Sequence, residues 1–280
     1  MAGTTGAIGS GGDPCTDRES RTIGLQRTEV FGVPYFRGTL DQATELVVRA
    51  ARGKQGGYAC LCNVHVLETA LRDQQLMLAL TRAMIVFPDG APIAWAQRFV
   101  AGRPSERIGG PDLMDRVFQA GAAVGLRHAV YGSTENVLAR LQSRLKRRHA
   151  EALVVSAIAP PFGARCERDV EDEIEILRAA RPDIVWVALG APRQELWASR
   201  HAAALAPALL IGVGAAVDFL AGTKPRAPHW MQAAGLEWLH RLSSEPRRLG
   251  IRYLTTNSRF VLRVGKGIVR MSLRRERTWR

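Results

Sequence analysis

Several short runs of this 280-residue chain place reactive side chains directly after apolar stretches. Gly190-Ala-Pro-Arg-Gln-Glu195-Leu-Trp197 opens a helical pattern, with Pro192 near its first turn. Backbone N–H groups at a helix start, the Arg193 guanidinium and the Gln194 amide would there converge on one point, an arrangement suited to a phosphate. Read more plainly, the run is a capped helix. Asp89-Gly90 follows Ile85-Val86-Phe87 and either projects a carboxylate from a strand end into the same rim or is simply part of a turn. Arg107-Ile-Gly-Gly110-Pro-Asp112-Leu113 joins a basic side chain, flexible backbone and a helix start, in which Asp112 is either a site residue or the cap. Asn63 ends the run Tyr58 to Cys62, and Gly212-Val-Gly214 with Asp218 ends the run Ala208 to Val213.

The elements that must position these residues alternate between two periods. Tyr58 to Cys62 reads as a strand, about Val64 to Thr81 as a helix, and Met84 to Phe87 as a strand ending in Pro88-Asp89-Gly90. His128 to Tyr131, Ala152 to Ile158, Ile184 to Leu189 and Ala208 to Val213 read as further short strands, each trailed by a helical pattern or a turn. That alternation predicts an α/β fold, a Rossmann-like, mostly parallel sheet with helices on both faces. Ligands of such sheets bind outside the carboxyl ends of the strands, where the runs above lie. Three regions are expected: a disordered extension over 1–28, an α/β catalytic core over 29–222, and a basic helical appendage over 223–280 that associates with membrane. The extension is rich in Gly, Ser and Thr and lacks the apolar core of a signal peptide.

Charge separates the last region from the rest. The chain carries a net +13, and from Lys224 onward fourteen Lys or Arg stand against three Glu, so this tail supplies +11. Such a surplus points to a polyanionic neighbour: nucleic acid, anionic lipid or phosphate-bearing substrate. The tail does not interleave aromatics for base stacking. It carries Trp230, Trp238, Leu239 and Leu242 at helix-like spacing, which favours a membrane interface over nucleic acid. No run reaches the ~18 apolar residues of a membrane span, so contact with a bilayer is expected to be peripheral. The four cysteines form no Cys-x-x-Cys pair, and Cys60 and Cys62 alternate within a buried strand, a structural pattern in a reducing cytosol. A dinucleotide-dependent oxidoreductase is the remaining rival. It fails because Val217 occupies the third glycine position after Gly212-Val-Gly214, and Asp218 lies too close to serve as the ribose ligand.

In chain order, Asn63, Asp89-Gly90, Arg107 to Leu113, Tyr131-Gly132-Ser133, Gly190 to Trp197, Gly212 to Asp218, Ala221-Gly222 and Arg226-Ala-Pro228 form one pattern. It continues through Leu236-Glu-Trp-Leu239, Arg241-Leu242, Glu245-Pro-Arg-Arg248 and Arg252-Tyr253. The whole resembles the WecG/TagA/CpsF glycosyltransferase family from about Thr28 to Phe260. The resemblance implies inverting transfer of a sugar from a UDP-sugar to an undecaprenyl-diphosphate-linked acceptor, with Asp89 as catalytic base. It further implies substrate contacts from Asn63, Arg107, Gln194 and Asp218, the last near the nucleotide, and from Arg241, Arg248 and Arg252 on the donor diphosphate once the appendage docks. Where family members often carry threonine, this chain has Leu61. Pro160-Pro161-Phe162 looks like the exopolysaccharide branch, and the sugar itself is not readable. One carboxylate suffices for an inverting transfer. No Asp-x-Asp triplet offers a divalent metal, so arginines and helix N-termini are expected to neutralise the departing diphosphate without metal or cofactor. The expected partners are the UDP-sugar, the lipid-linked acceptor and the anionic inner face of the plasma membrane, with homo-oligomerisation left open.

Overall fold

β-branched and aromatic residues at alternate positions, punctuated by glycine turns, build eight strands in the computed structural model, which describes residues 25–102, 105–161, 163, 166–244, 250 and 255–265. β1 (Arg27–Val30) and β2 (Val33–Phe36) form an antiparallel hairpin that the sequence reading missed. Its two-residue turn, Phe31-Gly32, has positive φ at both positions, the geometry that suits strand twist. Every other pairing is parallel, in the order β1-β2-β4-β3-β8-β7-β5-β6. The remaining strands are β3 (Tyr58–Cys62), β4 (Ile85–Pro88), β5 (Arg127–Gly132), β6 (Leu153–Ile158), β7 (Ile184–Ala188) and β8 (Leu209–Gly212). The expected α/β fold with a mostly parallel sheet is therefore the observed one.

Two apolar layers sandwich the sheet, and β3 divides between them: Ala59 and Leu61 face one, Tyr58, Cys60 and Cys62 the other. The first layer packs α1 (Leu40–Arg52), α5 (Gly110–Ala122), α6 (Glu135–Arg148) and α9 (Ala216–Ala221) around Trp186 and Phe118. The second packs α2 (Val64–Ala70), α3 (Gln74–Arg82), α4 (Ala91–Ala101), α7 (Glu167–Ala179) and α8 (Arg193–His201). The single helix expected over Val64 to Thr81 is two helices, because Asp73 caps a new one by accepting from Leu76 N–H. Leu61, at the position where a threonine was expected, is core: a Cβ on Gly110 would stand 3.1 Å from its Cδ1.

The chain turns from β3 into α2 on one face and from β8 into α9 on the other, although β3 and β8 are neighbours. Their loops diverge at the carboxyl ends, and such a reversal opens a crevice for ligands. Beyond Thr223 the described residues form α10 (His229–Ala233), α11 (Glu237–Ser244) and a helix over 255–265. That last helix docks on the second layer: Phe260 is buried edge-to-face on Phe31 at 6.2 Å, and Arg263 pairs with buried Glu68 at 3.1 Å. Among the described residues no helix is long and apolar enough to cross a membrane. The extension expected to be disordered lies, up to residue 24, outside the described residues.

Candidate active site

Register fixes the first two site residues. Cys62 pairs with Pro88 across β3 and β4, so Asn63 and Asp89 leave the sheet side by side. Asn63 is the N-cap of α2, its Oδ1 accepting from the His65 and Val66 N–H groups at 3.1 and 3.2 Å. With its oxygen committed to the cap, its Nδ2 donates to Asp89 Oδ2 at 3.2 Å. Gly90 then bends the chain at φ 105°, a conformation that disfavours any side chain, and α4 begins. Asp89 is thus a half-buried carboxylate with a fixed neighbour at the mouth of the crevice.

β7 supplies the next pair. Gly190 and Pro192 lead into α8, where Arg193 is exposed while Gln194 and Glu195 turn inward, 4% and 0% exposed. The expected convergence of Arg193 and the Gln194 amide on one phosphate is therefore replaced by divergence. Gln194 Nε2 donates to Glu195 Oε1 at 2.9 Å, while Gln194 Oε1 and Glu195 Oε2 are buried and make no hydrogen bond. Burial pushes the Glu195 carboxyl up to about 7; the Gln194 and backbone hydrogen bonds pull it down, and the nearby Asp89 carboxylate raises it. The Cys62 thiol is also raised, by burial foremost, with contributions from Glu195 and Asp89. These mutual influences put Glu195, Asp89 and the end of β3 in one neighbourhood.

Arg107 enters beside them, since Ile108 N–H donates to the Pro88 carbonyl at 2.9 Å. Its guanidinium pairs with Glu237 of α11 and lies 3.8 Å from Asp112. Asp112 is not the helix cap, which is Gly109; it holds Arg226 through two hydrogen bonds of 2.7 and 2.5 Å. Arg226 in turn lies 3.8 Å from Glu237. Half-burial works against the Arg226 charge, and Asp112, Glu237 and Asp115 more than offset it, so its pKa is raised. Four charges from three segments thereby clasp the start of the appendage to the rim of the sheet.

The structure thus joins Asn63 and Asp89 directly, brings Gln194 near them through Glu195, and holds Arg107 alongside but engaged with Glu237. Asp218 lies in α9 after β8, at the same end of the sheet, with its carbonyl accepting from Thr223 N–H and Oγ1 at 3.0 Å. No described hydrogen bond or ion pair links it to the other four. The Arg241 side chain, Arg248 and Arg252 lie outside the described residues. Sequence reasoning missed Glu195, Glu237 and the pairing role of Arg226. Only Glu195 carried a local signal, an acidic residue at helical spacing with Ala198, Ala202 and Leu205. Among the described residues no group of three or more His, Cys, Asp or Glu is placed to hold a metal ion.

Comparison with known proteins finds relatives along most of the chain. Three similar proteins are N-acetylglucosaminyldiphosphoundecaprenol N-acetyl-beta-D-mannosaminyltransferases. That of Bacillus subtilis strain 168 is 24% identical over 225 residues, covering 80% of this chain and 86% of its own. That of Bacillus spizizenii is 26% identical over 194 residues, covering 69% and 74%. That of Staphylococcus aureus strain MW2 is 24% identical over 228 residues, covering 80% and 87%. The model of the glycosyl transferase WecG/TagA/CpsF family matches residues 28–276, nearly the whole sheet and appendage. The chain belongs to the WecG/TagA/CpsF family of glycosyl transferases.

Proposed function

We propose that this chain transfers a sugar, with inversion, from a UDP-sugar to an undecaprenyl-diphosphate-linked acceptor during assembly of exopolysaccharide or another cell-surface glycan. The observation that carries this reading is the Asn63–Asp89 contact at the carboxyl ends of two adjacent strands. An acceptor hydroxyl in the crevice attacks the anomeric carbon, its proton passes to Asp89, and the carbon–oxygen bond to UDP breaks with the electron pair leaving on the diphosphate. The relatives' names describe a lipid-diphosphate acceptor and a β-linked product. By extension, an α-linked donor here would yield a β-linked product, which is inversion.

The departing diphosphate needs positive charge, and Arg107 and the appendage arginines Arg241, Arg248 and Arg252 are assigned that task, with Asp218 on the nucleotide side. Neither metal nor cofactor is invoked. Two features support recruitment to an anionic inner membrane face. The tail of +11 can gain about 1 kcal/mol per basic residue near the lipid surface. Trp95, Phe99 and Val100 of α4, which starts just past Asp89, are half-exposed or more, as is Trp230. A Cβ on Gly235 would lie 3.5 Å from the Trp95 ring, so the appendage packs beside α4, and exposed apolar side chains of this kind suit a membrane interface.

The test is direct: incubate the purified chain with a panel of UDP-sugars and a synthetic lipid-diphosphate-linked N-acetylglucosamine, and determine the anomeric configuration of any product. A β-linked product from an α-linked donor is expected. Retention of configuration, or no transfer with any donor, overturns the reading.

A further inference from the structure

Buried hydrogen-bonding atoms almost always find a partner, so two orphans side by side at the mouth of a ligand crevice call for a reason. Gln194 and Glu195 provide them. Both side chains are at least nine-tenths buried, and the bond from Gln194 Nε2 to Glu195 Oε1 leaves Gln194 Oε1 without a partner. That oxygen lies against the loop after β8, where a Cβ on Gly214 would approach it to 3.1 Å. Gly214 has φ 53°, so a glycine both permits the turn and leaves the amide its space.

A glutamine amide is nearly symmetrical in shape and opposite in chemistry at its two ends, so whatever holds one end decides what the other offers. A carboxylate accepts only, and therefore takes the N–H end. We propose that Glu195 is a positioning residue: it holds Gln194 so that the amide carbonyl, a hydrogen-bond acceptor, faces the site and selects a hydroxyl or amide N–H of the transferred sugar. This deepens the glycosyl-transfer reading and rests on it. A carbonyl oxygen repels phosphate oxygens, so Gln194 belongs to sugar recognition and not to the diphosphate. The groups that bear on Glu195 are Gln194 and its own backbone N–H, the Asp89 carboxylate, and the Cys60 and Cys62 thiols of β3. Once protonated, Glu195 can donate to the Gln194 carbonyl instead, and the amide turns round.

The experiment compares binding of free UDP and of UDP-N-acetylmannosamine by calorimetry, with the full-length chain, as wild type, Glu195→Leu and Glu195→Gln. Glu195→Leu removes the acceptor and should cut affinity for the nucleotide sugar about 10-fold, the effect of one lost hydrogen bond, with UDP affinity changed less than about 2-fold. Glu195→Gln keeps an acceptor and should retain the preference for the nucleotide sugar. Free UDP gains a proton on its terminal phosphate at about pH 6 and the nucleotide sugar does not, so the two proteins are compared: from pH 8 to 6 the wild-type preference should fall relative to that of Glu195→Gln, a comparison that stands even if the leucine variant does not fold. Parallel loss of UDP affinity, or a wild-type preference that follows that of Glu195→Gln across the same pH range, overturns the role given to Glu195 while leaving glycosyl transfer intact. Failure of the wild type to bind either compound removes the glycosyl-transfer reading and this proposal with it.

Discussion

Replacing Asn63 by aspartate separates the two tasks of that side chain. The cap survives, because aspartate accepts from the His65 and Val66 N–H groups as asparagine does, and its charge suits a helix N-terminus. The contact with Asp89 does not survive: a carboxylate oxygen now stands where an amide donated at 3.2 Å. Two unit charges at that spacing repel by about 5 kcal/mol at an effective dielectric constant near 20. Both positions are half-exposed, so solvent and salt reduce this to about half, equivalent to about 2 pH units. The pair then shares one proton over a range where Asp89 must be free to accept one. The acid limb of kcat/KM should move up by about 2 pH units, activity should return as pH is raised, and the melting temperature should stay near that of the wild type. Asn63→Ala provides the contrast. It loses the cap, about 1 kcal/mol or about 2–4 °C, without moving the limb in the same way. A folded Asn63→Asp protein whose acid limb coincides with that of the wild type would refute the placement of a base beside Asn63.

Glu195→Gln should stabilise the fold at high pH. The folded carboxyl titrates near 7 against 4.5 when exposed, so the cost of ionising it is absent below pH 4.5, grows through the interval and is complete above 7. The gain should reach about 3 kcal/mol at pH 8 and vanish at pH 4.5, read as the difference in melting curves; a gain independent of pH would contradict it. Glu237→Ala should release Arg107 and Arg226, costing about 2 kcal/mol of local stability, and should speed amide exchange across 229–244 while the sheet stays protected. Unchanged exchange there would mean that the clasp does not hold the appendage. Transfer should persist in excess chelator; abolition by chelator and restoration by magnesium would assign the diphosphate to a metal.

What the sequence disclosed follows from locality. Short β-branched runs, glycine turns and the alternation of periods are properties of adjacent residues, and they suffice for the parallel core and for the strand-end positions of Asn63, Asp89 and Gln194. The β1–β2 hairpin escaped because Val30-Phe31-Gly32-Val33 carries no Asn-Gly or Asp-Gly signal; Phe31 adopts positive φ there with its ring against Phe260. The split between α2 and α3 turned on Asp73, a cap inside a continuous apolar pattern. Asp112 reads equally as a site residue or a cap, because its partner Arg226 lies 114 residues away. The inward turn of Gln194 and Glu195 depended on how α8 sits on β3 and β8, which no local run specifies. Pairings between distant charges are decided by the assembled sheet.

Asp89→Asn tests the proposed chemistry most directly. The substitution keeps size and a hydrogen-bonding partner for Asn63 while removing the only group assigned to take the acceptor proton. Single-turnover transfer to the lipid-diphosphate acceptor should slow by a factor on the order of 10² to 10⁴, with nucleotide affinity and melting temperature close to those of the wild type. Transfer at a near-normal rate by that variant would show that Asp89 is not the base.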